Sequence, residues 1–206
     1  MKKSLIFALG AAALLLAPGC MDRTVLVDTD NDTEIVAGLD YKDFETAAAE
    51  TTNAILKSRQ MTAATPDATK VYVVAVGKVV DETPLAIDTD LVTARVSESL
   101  LGDDRFAISA VFADKDSNRD NMVSDARAVR GNAEFNQATI QKQGQLAAPD
   151  FSLFGKIIAR DVKRDNGGHQ YEYYFQLRVT NIATGTVVAM RETRIVKRTG
   201  KKDHTW

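Results

Sequence analysis

Residues 151–198 predict three consecutive β-strands joined by short turns, and this stretch limits the possible folds more than any other part of the chain. The predicted strands cover residues 151–160, 171–180 and 186–198. In the second strand, apolar side chains alternate with polar ones, as expected when one face of a sheet is buried. Because short turns join antiparallel neighbours, the last third of the chain is expected to form an antiparallel meander.

The preceding residues predict helices that alternate with strands. Asp40 is a suitable N-cap for a helix that ends near the loop 62–69 and has one apolar face, formed by Phe44, Ala47, Ala48, Thr51 and Ile55. Residues 70–80 are nearly all apolar or β-branched, which is typical of a central strand covered on both faces. A second helix is expected after Ile87, with a cap at Asp88, Thr89 or Asp90 and a stack of Val92, Val96 and Leu100.

Further elements are predicted before the meander begins. They are a strand over 106–113, a helical face formed by Met122, Val123, Ala126 and Val129, and a helix over about 133–143, with Pro149 ending the region. The expected order of elements is α-β-α-β-α-β-β-β, in which the additional helix at 133–143 is not counted. We therefore predict an α/β (α+β) single domain over residues 38–206, in which helices flank a mixed β-sheet.

Residues 1–19 have the features of a lipoprotein signal peptide. Lys2 and Lys3 precede an apolar stretch over 5–16, which is too short to span a hydrocarbon core of about 30 Å as a helix. No later segment comes closer to the length and apolar character that a membrane-spanning helix needs, so no transmembrane helix is predicted. The only cysteine, Cys20, follows Ala-Pro-Gly directly. An ordinary signal peptide with an incidental cysteine is the alternative.

The sequence before Cys20 resembles the bacterial lipobox. That resemblance implies a diacylglycerol on the Cys20 thiol, cleavage before Cys20 and acylation of its new amine. An unpaired thiol would be a liability in an oxidising compartment, and several acyl chains attach a protein to a membrane permanently. Because Met21 stands where many inner-membrane lipoproteins of Gram-negative bacteria have Asp, the resemblance implies an outer-membrane anchor that faces the periplasm.

Residues 20–37 predict a lipidated cysteine followed by a short acidic tether. Five carboxylates against Arg23 give residues 21–37 a net charge of −4, whereas residues 38–206 are neutral overall. The 17 residues of the tether reach about 60 Å when fully stretched and about 25 Å as a relaxed coil.

The composition excludes several classes of function. A net charge of −2 does not favour nucleic acid, and two histidines with one cysteine cannot form a Cys/His zinc cage. Neither His169 nor His204 lies near a nucleophile turn. The acidic stretches 28–32 and 114–120 lack the glycine that a calcium loop requires. We expect no catalytic residue, no metal and no cofactor besides the lipid on Cys20.

The last predicted strand is basic and has two interpretations. Its cations Arg191, Arg194, Lys197 and Arg198 either keep an edge strand soluble or form a patch for an acidic partner. In the preceding strand, the alternation predicts that Tyr171, Tyr173 and Phe175 are core residues. Tyr174 falls on the opposite face and joins the four cations as a candidate partner-binding residue.

Three sequence blocks resemble the LpoB family of penicillin-binding protein activators. The first runs from Lys70 to Phe106 and contains V-V-x-V-G-x-V-x-x-x-T and I-D-T-D-x-x-T. The second is PDFSLFGKI at Pro149–Ile157, and the third is the hairpin N-I-A-T-G at 181–185. Together with the helix at Asp40 and the lipobox, they extend the resemblance over nearly the whole chain.

The resemblance implies a function without an active site. Such a lipoprotein reaches from the outer membrane to a penicillin-binding protein, a bifunctional peptidoglycan synthase, and stimulates it by docking on a non-catalytic domain. The alternative is a structural component of an outer-membrane secretion or envelope-assembly complex, because the same fold resembles domains of such lipoproteins.

Overall fold

A computed structural model describes residues 39–112, 119–165 and 168–198. The predicted signal peptide, Cys20 and the tether lie outside these residues. The described part contains four helices and six strands in this order: α1 (Tyr41–Leu56), α2 (Arg59–Ala64), β1 (Tyr72–Val76), β2 (Val80–Glu82), α3 (Thr89–Leu101), β3 (Phe106–Ile108), α4 (Asn121–Ala128), β4 (Phe151–Lys163), β5 (His169–Asn181) and β6 (Thr186–Arg198).

The strands form one mixed sheet in the order β3-β1-β4-β5-β6, and β2 also pairs with β4. Strands β1 and β2 run parallel to β4, and β3 runs parallel to β1. Strands β4, β5 and β6 are antiparallel neighbours, so the predicted meander and mixed α+β fold are confirmed. Strand β6 lies at an edge of the sheet.

The sheet buries one face in the described core. Its buried side chains alternate along the strands, as Val74, Leu153 and Leu177 illustrate, and paired residues of neighbouring strands share that face. Helix α1 lies against this face, where Thr51 Oγ1 donates to Thr193 Oγ1 of β6 at 2.7 Å. Of the three predicted core aromatics, Tyr173 and Phe175 are buried, while Tyr171 is half-buried.

Helix α1 begins as the sequence predicts and ends earlier than expected. Asp40 caps it, with a reciprocal pair of bonds at 3.0 Å between the Asp40 and Asp43 backbone amides and side chains. The helix ends at Leu56, because Ser58 starts the separate helix α2 by accepting a bond from the Met61 amide at 3.2 Å. The prediction that one helix continues to the loop 62–69 was wrong.

Residues 70–80 do not form one strand covered on both faces. Val76 pairs with Leu153 and Val80 pairs with Lys156, so three residues lie opposite two, which is a β-bulge. The extra residue reverses the alternation, so Val79 enters the core and Val80 does not. Strand β1 also buries only one face, since Val73 and Ala75 on the other face are half-buried.

The segment between α3 and β4 differs most from the prediction. Helix α3 is capped by Asp88 and buries Val92, Val96 and Leu100 as expected. Strand β3 ends at Ile108, because the Ser109 hydroxyl accepts a bond from the Phe112 amide at 3.2 Å and turns the chain. Ala113, the last residue of the predicted strand, lies outside the described residues.

The predicted helix over 133–143 is absent from the described structure, and turns occupy the segment. The Gln137 side chain accepts a bond from the Gly131 amide at 2.9 Å and donates to the Asn132 carbonyl at 2.6 Å, which satisfies backbone groups outside any helix. Gly131 and Gly144 have φ angles of 79° and 78°, respectively, so left-handed turns flank the segment. Helix α4 contains three of the four residues of the predicted helical face and ends before the fourth, Val129, which is its C-cap. None of its residues is buried, and Met122 is 76% exposed.

Candidate docking face

The sheet has a second face, opposite the core, which we call the open face. It consists of the outward side chains of β2, β4, β5 and β6, which include Val80, Glu82, Ser152, Phe154, Lys156, Ile158, Arg160, Val162, Gln170, Glu172, Tyr174, Gln176, Arg178, Thr180, Met190, Glu192, Arg194, Val196 and Arg198. None of these side chains is buried. Phe154 is 39% exposed, Met190 49% and Val196 36%, so the face combines apolar and charged surface.

A hydrogen-bonded network crosses one end of the open face. Glu172 accepts a bond from the Tyr174 hydroxyl at 2.6 Å and another from Gln170 Nε2 at 2.7 Å. These two bonds lower the pKa of Glu172, and the charges of Arg160 and Arg194 lower it further. Arg198 extends the network, because its Nε donates to Gln170 Oε1 at 2.9 Å. The network gives the Tyr174 hydroxyl a fixed hydrogen-bond partner.

The open face as a whole is weakly basic. Five cations stand against three carboxylates, a net charge of +2. The Arg178 guanidinium lies over the Phe154 ring at 5.4 Å, Lys156 Nζ is 3.3 Å from Glu82 Oε2, and Gln176 donates to Glu192. Such a surface suits a partner that combines acidic and apolar groups.

The five predicted partner-binding residues divide between the two faces of the sheet. Tyr174, Arg194 and Arg198 lie on the open face, and Arg194 is directly opposite Tyr174 in the pairing of β5 with β6. Arg191 pairs with the buried Leu177 and Lys197 pairs with Tyr171, so both lie on the face that α1 covers. Three of the five residues therefore form one surface.

Lys197 has a structural contact in the described fold. Its Nζ is 2.7 Å from Asp43 Oδ2 and 4.0 Å from Asp40 Oδ2, and its side chain is 17% exposed. It thus joins the end of β6 to the capping box of α1. Arg191 donates to the Met190 carbonyl at 2.8 Å.

Sequence reasoning missed the members of this face that β4 and β5 contribute, such as Phe154, Arg160, Glu172 and Arg178. The available signal was the same alternation that selected Tyr174. Residues of β5 with even numbers share its face, and an antiparallel register carries that face to the even-numbered residues of β4.

Two searches of the described residues, for metal-ligand clusters and for membrane-spanning helices, found none. Among them, no group of three or more His, Cys, Asp or Glu side chains could hold a metal ion. A search of the same residues finds no helix with the length and apolar character that crossing a membrane requires.

The chain is similar to a known protein family and to several solved structures. A family model described as peptidoglycan-synthase activator LpoB matches residues 43–195. No curated protein matches the chain. Similar solved structures include the LpoB C-terminal domain from Salmonella enterica, with 13% identity, coverage of 74% of this chain and 98% of that chain, and a TM-score of 0.43.

Two structures from Escherichia coli are also similar. The LpoB C-terminal domain has 14% identity, coverage of 74% of this chain and 98% of that chain, and a TM-score of 0.43. The NMR structure of LpoB has 11% identity, coverage of 92% of this chain and 89% of that chain, and a TM-score of 0.41.

Proposed function

The chain belongs to the LpoB family of peptidoglycan-synthase activators, and from this premise we propose that it binds a bifunctional peptidoglycan synthase and activates it. The match over residues 43–195, which runs from the first turn of α1 into β6, is the observation that carries the proposal. Members of the family are activators rather than catalysts. We accordingly propose that this chain acts by docking and catalyses no reaction itself.

The second part of the proposal concerns the membrane anchor. A diacylglycerol and an N-acyl chain on Cys20 would hold the protein in the outer membrane, facing the periplasm. The 17-residue segment 21–37 reaches about 60 Å at most, so the synthase must extend towards the outer membrane to meet the domain.

The third part places the synthase on the open face. Tyr174 supports this assignment, because a half-buried aromatic with a fixed hydroxyl loses little conformational entropy on binding. Arg194 and Arg198 are exposed beside it and supply positive charge for an acidic partner surface. The contacts of Lys197 with α1 make it a structural residue in this proposal.

Surface plasmon resonance with a purified synthase tests the docking face. We expect the variant Arg194→Glu with Arg198→Glu to lower the association rate about tenfold at low salt, because rim charges steer encounter. The difference should shrink at high salt, since charges are screened over about 10 Å at 0.1 M ionic strength. The control is Lys57→Glu with Arg59→Glu, which reverses two exposed cations at the end of α1 and the start of α2 and should leave the rate unchanged.

Two outcomes would contradict parts of the proposal. An unchanged association rate for the Arg194 and Arg198 variant at low salt would show that the open face is not the docking site. The synthase could still bind elsewhere on the domain. If the native protein failed to bind synthase and instead assembled into rings of many copies, the alternative role in an envelope-assembly complex would replace activation.

A further inference from the structure

An apolar groove of about 710 Å³ runs between the first half of α1 and the helix α3. Its apolar lining includes Tyr41, Phe44, Ile87, Leu91 and Val92. Because α1 packs on the core face of the sheet, the groove lies on the helical side of the domain. None of the open-face residues lines it, so it is a separate surface.

The groove exposes large apolar side chains together. Leu91 is 64% exposed and Tyr41 is 42% exposed, and they contribute from different helices. Leu91 lies in the capped first turn of α3, outside the buried row of Val92, Val96 and Leu100. A single exposed leucine needs no explanation, but a groove that gathers apolar groups from two helices and a loop indicates an interaction site.

Carboxylates dominate the rim of the groove. Glu45 of α1 and Glu98 of α3 share one cation, Arg95, whose Nε donates to Glu45 Oε1 at 2.9 Å. Asp88 and Asp40 add two further carboxylates, so the lining holds four acids and one base. Asp88 is exposed at the N-terminus of α3. The charge that would complement this rim is positive.

We propose that the groove binds a basic amphipathic helical segment of a protein partner. From Leu91 to Glu98 the groove follows two turns of α3, about 10 Å, which accommodates two or three apolar anchors at i, i+3 or i+4, and i+7 of a partner helix. Lys or Arg residues beside those anchors would meet Asp88, Glu45 and Glu98. The acidic rim disfavours an anionic lipid surface, because like charges repel.

This proposal does not depend on activation of a synthase. Groove binding is measured with an isolated peptide, whereas the docking face is measured with the synthase, so either can fail while the other holds. The two surfaces would allow the domain to hold two partners at once.

The probe is a fluorescent 14-residue amphipathic peptide of Leu and Lys, with a Leu and Glu peptide of the same pattern as its counterpart. Fluorescence anisotropy with the intact protein should show saturable binding of the Lys peptide and at least tenfold weaker binding of the Glu peptide. Raising the salt concentration from about 50 to 500 mM should weaken binding of the Lys peptide, since its charges are screened.

Substitutions on α3 locate the site. Leu91→Glu should weaken binding of the Lys peptide at least fivefold, although it adds a charge that by itself attracts lysine. The matched control is Leu101→Glu on the same helix, because Leu101 is 56% exposed and does not line the groove. Glu98→Lys should also weaken binding, whereas Glu50→Lys, an exposed position of α1 outside the groove, should not.

Several results would overturn the proposal. Equal affinity for the two peptides would show an apolar site without charge selection. Equal effects of Leu91→Glu and Leu101→Glu would show that the peptide binds elsewhere. Thermal melts of every variant distinguish a loss of binding from a loss of folding. If Leu91→Glu fails to fold, the comparison of Glu98→Lys with Glu50→Lys tests the location of the site instead.

Discussion

Gly155 occupies a position where its neighbours leave no room for a side chain. A Cβ added there would lie 2.8 Å from Leu177 Cδ2 and 2.9 Å from Val79 Cγ2, inside the core. We expect Gly155→Ala to lower the free energy of unfolding by about 1–3 kcal/mol through overpacking, measured by urea denaturation. The control Gly102→Ala, whose nearest neighbour would be 3.4 Å away, should change it by less than about 0.5 kcal/mol. An unchanged midpoint for Gly155→Ala would contradict the packing of Val79 against β4.

At the scale of elements, Thr93 joins α3 to the β-bulge. Its buried hydroxyl accepts a bond from the Val79 amide at 3.1 Å and donates to the Thr89 carbonyl at 2.7 Å. Thr93→Val keeps the shape but leaves the Val79 amide without its partner, so the free energy of unfolding should fall by about 1–3 kcal/mol in chemical denaturation. Thr62→Val, at an exposed position of α2, should have an effect below about 0.5 kcal/mol. Equal effects at the two positions would show that the hydroxyl of Thr93 does not support the bulge.

At the scale of the whole molecule, the proposed anchor determines where the protein resides. We expect Cys20→Ser to release the protein from membranes, because no other segment of the sequence is apolar enough to hold it. Met21→Asp should keep the lipid and move the protein to the inner membrane, by the resemblance to sorted lipoproteins. Density-gradient fractionation after a high-salt wash measures both variants. A Ser variant that stays with the outer membrane would show that another contact anchors the chain.

Local patterns in the sequence determined much of the fold. The alternation over 151–198 specified the meander and its buried face, since side chains of a strand point alternately to either side. Asp40 specified the start of α1, and Asp88, Thr89 and Asp90 specified the start of α3 to within two residues, because a cap acts on amides two or three residues away. The structure shows that Asp88 is the cap of α3. Gly155 and Thr93 belong to the sequence blocks that carry the family resemblance. Their contacts with Val79 show that they stabilise the packing of the sheet and α3.

Only the tertiary structure decided the bulge and the surfaces. The sequence of 70–80 does not show that Val79 enters the core over Gly155, because that depends on where β4 lies. Basic residues of β6 that look alike in sequence divide into Arg194 on the open face and Lys197 against α1, since the sheet register and the position of a helix distant in sequence assign them. The groove between α1 and α3 likewise requires two helices separated by more than thirty residues to meet. The spacing of apolar residues in the sequence indicates which side of its own strand or helix a residue occupies. Which other element that side contacts depends on the packing of segments that are distant in the sequence.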